Sequence, residues 1–342
     1  MAPLLVLGSS GGRTLAADGR DTLVAHAGEV ERAELVMGTV ARVALPARAA
    51  QPERFEAGFA ALRDVDRAMS LYRPESELVR VNTVAARHAE PVGAALFALL
   101  DRARELSAES DGAFDVTILP LLRAWGAYPD LPYLCAGSVT AVGFEGLRLD
   151  PRERTVSFAR PGMGLDLGGI AKGFALDRAR AALAAAGVEQ ARLDLGGDLA
   201  FVGAGSDGGW RVAVRDPERR ESALGVLTVE ANASVSTSGN YARDFAHEGW
   251  RARSHIYDPR SGRPLDRDLA VTVWAPDATT ADALSTALVV LGPRGAAPLL
   301  AREPTAGVLF VDGRAGGRRL SFAGRPPRAW MPNENAAALA AR

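Results

Sequence analysis

Strand-like and helical patterns follow one another irregularly along this chain of 342 residues. A strand is predicted over 34–45, and a helix over 55–69, where apolar residues recur at spacings of three and four. Short strand-like runs then alternate with an alanine-rich helix over 171–186 and another helix over 280–291. Because no regular strand–helix–strand rhythm emerges, we expect an α+β fold with mixed or antiparallel sheets flanked by helices.

The composition excludes several classes of function. Lysine and arginine total 40 against 41 aspartate and glutamate residues, so the formal net charge of −1 provides no basic excess for binding nucleic acid. The single cysteine, Cys135, excludes an intrachain disulfide and any cysteine-rich zinc or iron–sulfur site. We therefore expect no nucleic-acid partner.

The segment 165–173 carries a strong local signal for a ligand site. Its residues, Leu165-Asp166-Leu167-Gly168-Gly169-Ile170-Ala171-Lys172-Gly173, predict an apolar strand end, a two-glycine turn and the start of a helix. Backbone N–H groups and the positive end of a helix dipole bind anions, and a bound phosphate would remove the conflict between Lys172 and that dipole. The alternative is a tight turn with a solvated lysine.

A second segment, Ala281-Asp282-Ala283-Leu284-Ser285-Thr286, places a carboxylate and a hydroxyl four residues apart on one helix face. Both groups are oxygen ligands of the kind that Mg²⁺ prefers. The competing interpretation is structural, since Asp282 in a first turn would favour the helix dipole and Thr286 would bond back to the helix.

Two further segments combine aromatic and polar residues near predicted turns. In Gly112-Ala113-Phe114-Asp115, a ring beside a carboxylate suits a ring-shaped ligand with N–H donors, or else Asp115 caps a helix. In His255-Ile256-Tyr257-Asp258-Pro259, His255 is either a general base or a structural histidine in the core.

Taken in order along the chain, these segments resemble the ApbE-type FAD:protein FMN transferase family. The similarity begins at Met37-Gly38-Thr39 and Ser70-Leu71-Tyr72, passes through the segments above and Gly196-Gly197-Asp198, and includes Thr237-Ser238-Gly239. Each motif is short and unspecific, whereas their ordered series is highly specific.

The resemblance implies an ApbE-like fold with an FAD cleft between two subdomains. It also implies Mg²⁺-dependent transfer of FMN from FAD to a Thr or Ser hydroxyl of an acceptor flavoprotein, with release of AMP. The alternatives are hydrolysis of FAD to FMN and AMP, and non-catalytic flavin binding.

The same resemblance assigns expected roles to individual residues. The flavin-nucleotide positions are occupied by Met37, Tyr72, Ala113, Phe114, Asp115, Asp166, Lys172 and Ile256. The magnesium positions fall on Asp282, Thr286 and the main-chain oxygen of Gly169. His255 lies at the position of the family's catalytic histidine, and Lys172 is expected to neutralise charge during the reaction.

The acceptor implied by the resemblance is a flavin-carrying subunit of a membrane electron-transfer complex. Family members are usually exported, so a location in the bacterial cell envelope or periplasm is expected, although no lipobox cysteine and no complete signal peptide are recognised. We expect an N-terminal tail or signal-peptide remnant over 1–33, a transferase domain over 34–330 and a C-terminal tail over 331–342.

Overall fold

The structure is a computed structural model that describes residues 13–17, 21–26, 28–128, 131–134, 139–205, 207–219, 222–240, 256–313 and 317–333. Its strands are β1 (Arg13–Ala17), β2 (Asp21–His26), β3 (Glu29–Val36), β4 (Thr39–Pro46), β5 (Glu90–Pro91), β6 (Leu147–Asp150), β7 (Thr155–Phe158), β8 (Ala191–Leu195), β9 (Asp198–Val202), β10 (Trp210–Arg215), β11 (Ala223–Val229), β12 (Ser234–Gly239), β13 (Tyr257–Asp258), β14 (Arg263–Pro264), β15 (Leu269–Ala275), β16 (Gly307–Asp312), β17 (Arg319–Gly324) and β18 (Ala329–Pro332). Its α-helices are α1 (Pro52–Met69), α2 (Glu77–Val84), α3 (Ala94–Glu109), α4 (Leu119–Ala124), α5 (Ala171–Ala185) and α6 (Ala278–Arg302).

A ten-stranded sheet in the order β1-β2-β3-β4-β8-β9-β12-β15-β16-β17 forms the centre of the fold. Each neighbouring pair in this sheet is antiparallel. Smaller sheets join β10-β11-β18, β5-β7-β6 and β13-β14. The antiparallel pairing, together with helices inserted between strands that are distant in sequence, confirms the expected α+β class.

The two faces of the central sheet are covered differently. Helices α1, α5 and α6 pack on one face, where buried residues of α1 such as Phe55, Phe59 and Leu62 join alternate residues of the strands in one hydrophobic core. The small sheet β10-β11-β18 covers the other face of β9, β12, β15 and β16 through a second core. Since side chains alternate along a strand, the polar residues that share the helix-covered face meet the helices directly.

Helix α6 consists of two helical segments rather than one straight rod. Gly292 has φ 68° and ψ 179°, which interrupts the helix between residues 278–291 and 293–302. Arg102 of α3 donates to Thr280 Oγ1 at 3.3 Å and also pairs with Glu303, so the second segment folds back beside the beginning of the first. The length and apolar composition of α6 would allow a membrane span, but the helix is broken and 56% of its apolar window is buried.

The observed elements correct part of the prediction from sequence. The single strand predicted over 34–45 is wrong, because Met37 and Gly38 form a two-residue turn that divides it into β3 and β4. The residue boundaries expected near 33 and at 330 lie within β3 and β18, and the division into tails and a transferase domain stays a prediction. The predicted helices over 171–186 and 280–291 correspond to α5 and to the first segment of α6.

Candidate active site

The turn that precedes α5 is held by its own backbone and by Asp166. The Oδ1 atom of Asp166 accepts from Gly168 N at 2.8 Å, and the carbonyl oxygen of Leu167 accepts from the N–H groups of residues 170 and 171. Gly173 N donates to Asp282 Oδ2 at 2.9 Å. Four of the six N–H groups from 168 to 173 are therefore already paired, so most of the backbone donors that the sequence predicted for an anion are occupied.

Lys172 lies between two carboxylates at the start of α5. Its ammonium group pairs with Asp198 Oδ2 and lies 3.3 Å from Asp282 Oδ1. Burial lowers the pKa of Lys172, but the charges of Asp198 and Asp282 outweigh burial and raise the pKa above its ordinary value. The alternative of a solvated lysine is wrong, since the side chain is only 15% exposed and remains charged in a buried ion cluster.

The face of α6 that carries Asp282 and Thr286 points toward the turn before α5. A Cβ atom built on Gly169 would stand 3.1 Å from Thr286 Oγ1, so these two residues are neighbours. Burial raises the pKa of Asp282 to about 6, because the opposing attraction of Lys172 offsets only part of the desolvation. A carboxylate, a hydroxyl and the backbone of Gly169 are thus brought together from two elements that are more than 100 residues apart in sequence.

A row of hydroxyl groups links Asp198 to the same face of α6. Ser236 donates to Asp198 Oδ1 at 2.5 Å and lies 3.3 Å from the hydroxyl of Ser285. Ser238 lies 2.7 Å from the Ser285 hydroxyl and 3.4 Å from Thr286 Oγ1. Asp198 was not among the predicted site residues, although the Gly196-Gly197-Asp198 turn was recognised in the sequence.

Asp198 is brought to this cluster by a tight hairpin between β8 and β9. Gly196 and Gly197 have φ values of 64° and 100°, as a two-residue hairpin turn requires, and Gly197 N donates to Asp194 Oδ1 at 2.9 Å. Gly196 N donates to the carbonyl oxygen of Val40 at 3.1 Å, so the turn containing Met37 lies at the same end of the sheet. Met37 itself has φ 53°, a conformation that is uncommon for a residue with a side chain.

The loop that contains Ala113, Phe114 and Asp115 packs against the two-glycine turn. Phe114 Cε2 would lie 3.4 Å from a Cβ atom on Gly169, which places the phenyl ring beside the predicted metal ligands. Asp115 accepts from the N–H and hydroxyl of Thr117, both at 2.7 Å, and from Phe144 N at 2.9 Å. Both carboxylate oxygens of Asp115 therefore hold the loop together, and Ala113 is buried next to them.

Two tyrosines, Tyr72 and Tyr128, lie near Asp166 at the beginning of the turn that precedes α5. Tyr128 donates its hydroxyl to Asp166 Oδ2, and its ring centroid is 6.0 Å from that of Tyr72. Burial first, and then the charge of Asp166, raise the pKa values of both phenols, so both remain protonated at neutral pH. Tyr72 is 62% exposed, which leaves much of its ring accessible to a ligand. Tyr128 is a site residue that the sequence did not predict.

Two of the predicted residues lie in the segment that follows β12. His255 is outside the residues that the structure describes. Ile256 is buried in the main core, and its carbonyl oxygen accepts from Leu265 N at 2.9 Å. The predicted roles of both residues stay predictions.

The ion cluster is distinct from a cavity of about 710 Å³ farther along α5. That cavity is lined by Asp177, Arg180, Trp274, Asn232 and Arg325, among others, and by none of the predicted site residues. Within the described residues, no group of three or more His, Cys, Asp or Glu side chains is placed to hold a metal ion.

Comparison with known proteins identifies the family. The ApbE family model matches residues 37–310 of this chain. A protein from Treponema pallidum (strain Nichols), named FAD:protein FMN transferase, is 33% identical over 329 residues, which cover 89% of this chain and 87% of that protein. A protein of the same name from Klebsiella pneumoniae (strain 342) is 35% identical over 265 residues, covering 75% of this chain and 81% of that protein.

Solved structures agree with the sequence comparisons. The flavin transferase ApbE from Vibrio cholerae superposes with a TM-score of 0.73 and 26% identity, covering 91% of this chain and 99% of that one. The apo form of the Pseudomonas stutzeri flavinyl transferase ApbE superposes with a TM-score of 0.71 and 30% identity, covering 90% and 96%. The resemblance inferred from the ordered motifs is confirmed: this chain belongs to the ApbE family.

Proposed function

We propose that this chain is an FAD:protein FMN transferase, which moves FMN from FAD to a Thr or Ser hydroxyl of an acceptor protein and releases AMP. The observation that carries the proposal is the meeting of Lys172, Asp282, Thr286 and Gly169 at the adjoining ends of α5 and α6. Relatives that match most of the chain carry the name of this activity.

The donor atoms in this cluster suit Mg²⁺. Asp282, Thr286 and the main-chain oxygen of Gly169 would hold the ion, and their carboxylate, hydroxyl and carbonyl chemistry matches its preference for oxygen. When bound, Mg²⁺ supplies positive charge that stabilises the developing charge on a diphosphate.

The chain's own residues would bind the rest of the substrate. Lys172 brings a buried ammonium group to the same place and would neutralise a phosphate oxygen, with Asp198 holding the ammonium in position. The exposed ring of Tyr72 offers an apolar surface on which an isoalloxazine ring would pack, and the buried ring of Phe114 would support the glycine turn beneath the ligand. Such packing would hold the phosphorus atom on the FMN side of FAD in line with the attacking hydroxyl of the acceptor protein.

We propose His255 as the group that accepts the proton of the acceptor hydroxyl. The proposal rests on the position of His255 in the family motif, directly before Ile256. A positioned imidazole contributes roughly 10²–10⁴-fold to such a transfer.

We also propose that the acceptor is a flavin-carrying subunit of a membrane electron-transfer complex and that the protein works in the cell envelope. Both statements rest on the family resemblance. Fractionation of the producing cells, followed by immunoblotting for this protein, would test the location.

The deciding experiment mixes the purified protein, FAD, Mg²⁺ and candidate acceptors, and measures the mass of the acceptor. A gain equal to FMN less one water, as a phosphoester bond requires, is the expected result, and it should be lost on omission of Mg²⁺. Asp282→Asn should lower the transfer rate at least about 100-fold, because it removes the charged ligand. Asp64→Asn is the matched control, since Asp64 is an exposed carboxylate on α1 that faces Arg67.

Two other results would contradict the proposal. AMP release at the same rate with and without acceptor, and no gain in acceptor mass, would identify an FAD pyrophosphatase. Tight FAD binding with no AMP release at any Mg²⁺ concentration would identify a flavin-binding protein. Full transfer activity in Asp282→Asn would refute the metal assignment while leaving the transferase activity intact.

A further inference from the structure

The first turn of α6 is held by a carboxylate from another helix. Asp277, the N-cap residue, accepts from Thr280 N at 2.7 Å. The N–H groups of Ala278 and Thr279 instead donate to Asp177 of α5, at 2.9 and 2.8 Å, and the Thr279 hydroxyl donates to the same carboxylate at 2.6 Å. A helix N-terminus has unsatisfied N–H donors and a partial positive charge, so Asp177 stabilises α6 through both effects.

One helical turn before Asp177, α5 also holds Asp282 of α6. Gly173 precedes Asp177 by four residues, so the two lie above one another on the helix. Gly173 N donates to Asp282 Oδ2, and a Cβ atom at Gly173 would overlap the carbonyl oxygen of Ala278. The first turns of α5 and α6 are therefore in close contact, and two points of attachment fix their relative position.

Arg180 extends this attachment to the segments that lead into α6. Its Nη2 atom donates to Asp177 Oδ1 at 2.9 Å. Its Nη1 atom donates to the carbonyl oxygens of Asn232 and Pro276, at 2.7 and 2.8 Å. Asp177 is thus itself oriented by an arginine that is anchored to the turn before β12 and to the residue before the N-cap.

We propose that Asp177 is a positioning residue: it holds the start of α6 against α5 so that Asp282 and Thr286 face Gly169 and Lys172 in a geometry able to bind a divalent cation. The proposal rests on the proposed function, since it concerns the metal-binding face of that site. Asp177 has no contact of its own with Lys172, Asp282 or Thr286 among its hydrogen bonds, so its effect on the cation passes through the position of the helix.

The test measures binding of Mn²⁺, as a substitute for Mg²⁺, to the full-length chain by isothermal titration calorimetry without FAD or acceptor. Asp177→Asn keeps the size of the side chain but exchanges one acceptor oxygen for an NH₂ group, which cannot accept from the α6 N–H groups. We expect the Kd for Mn²⁺ to rise about tenfold, the range seen when a partner that orients a metal ligand is lost.

Asp277→Asn is the matched control. This substitution changes the N-cap residue of the same helix, and asparagine is as good an N-cap as aspartate. The cap bond of Asp277 is made within α6, to Thr280 N, and does not involve α5. We expect Asp277→Asn to bind Mn²⁺ within twofold of the wild-type chain. Asp282→Asn marks the site and should abolish the titration signal.

The outcomes separate positioning from general stabilisation. If Asp177→Asn lowers the melting temperature but binds Mn²⁺ as tightly as Asp277→Asn, Asp177 is only structural and the proposal is wrong. If Asp177→Asn does not fold, Thr279→Val removes one of the three bonds to Asp177 and should weaken Mn²⁺ binding in the same direction, and an unchanged Kd would refute the proposal.

The titration also stays informative if the proposed function fails. A wild-type chain that binds Mn²⁺ through Asp282 but transfers no FMN would refute the transferase activity and leave the positioning role in place. Mn²⁺ binding that is insensitive to Asp282→Asn, or no binding at all, would refute the positioning role whatever the chain does to FAD.

Discussion

Two carboxylates share one ammonium group at the start of α5. Asp198 and Asp282 both face Lys172, and the three groups together retain one net negative charge at neutral pH. A divalent cation bound at Asp282 would change this to one net positive charge, which suits a diphosphate. The balance of charge among these residues, more than any one of them, determines which ligand the cluster can bind.

The pKa of Asp282 leads to a prediction about pH. Because burial raises this pKa to about 6, protons compete with a divalent cation for the carboxylate below that pH. We expect the affinity for Mn²⁺ to be nearly constant between pH 7 and 8 and to fall about tenfold per pH unit well below pH 6. Calorimetric titration at several pH values checks this, and a Kd that does not change between pH 7 and pH 5 would contradict it.

The residues that the sequence revealed are those whose neighbours in the chain make a motif. Asp282 and Thr286 share a helix face, and the glycines beside Lys172 mark a turn, so both could be found from local spacing. Asp198 and Tyr128 were missed because their partners, Lys172 and Asp166, are distant in sequence and meet them only through the folded chain.

At the scale of single elements, α6 combines two tasks. Its first segment presents the polar face to the site, and its second segment returns through Gly292 and Pro293 to pack against the core. The apolar spacing predicted the first segment over 280–291 closely, since periodicity and a following Gly-Pro pair mark both the helix and its end. The direction taken after Gly292 depends on its backbone conformation, which the spacing of apolar residues does not specify.

The break at Gly292 gives a prediction about stability. Alanine at φ 68° and ψ 179° would be strained, and its Cβ atom would displace the side chain of Arg267. We expect Gly292→Ala to lower the free energy of unfolding by about 1–3 kcal/mol, measured by guanidinium denaturation.

Gly317→Ala serves as the control for this substitution. Gly317 has open space around it and needs no unusual backbone conformation, so its replacement should change the free energy of unfolding by less than about 0.5 kcal/mol. Equal free energies of unfolding for Gly292→Ala and Gly317→Ala would contradict the prediction, because they would show that alanine is not strained at position 292.

At the scale of the whole molecule, both faces of the central sheet carry a hydrophobic core, but the candidate site lies on the helix-covered face. The helix-covered face carries Asp198, Ser236 and Ser238 toward α6, whereas the opposite face is apolar under β10-β11-β18. The α+β class followed from the mixture of periodicities, but the order of ten strands did not. Pairings such as β4 with β8 join residues about 150 positions apart, and no local pattern encodes them.

This division predicts that the second core can be weakened without changing the site. Trp210 of β10 stacks on Phe201 of β9 with ring centroids 4.6 Å apart, on the face away from the helices. Trp210→Ala should lower the free energy of unfolding by about 3–5 kcal/mol, while the Kd for Mn²⁺ at 25 °C stays within twofold of the wild-type value. Parallel loss of stability and of Mn²⁺ affinity would show that the two faces are coupled.

Because the second segment of α6 folds back beside the first, residues at the two ends of this helix lie close together. Thr280 and Glu303 are separated by a whole helical hairpin along the chain, yet the guanidinium group of Arg102 touches both. Glu303, at the end of the hairpin, is consequently linked through the single side chain of Arg102 to the helical turn that leads to Asp282. A substitution in α3, which carries Arg102, can therefore change the position of Asp282 and Thr286 without acting through the sheet.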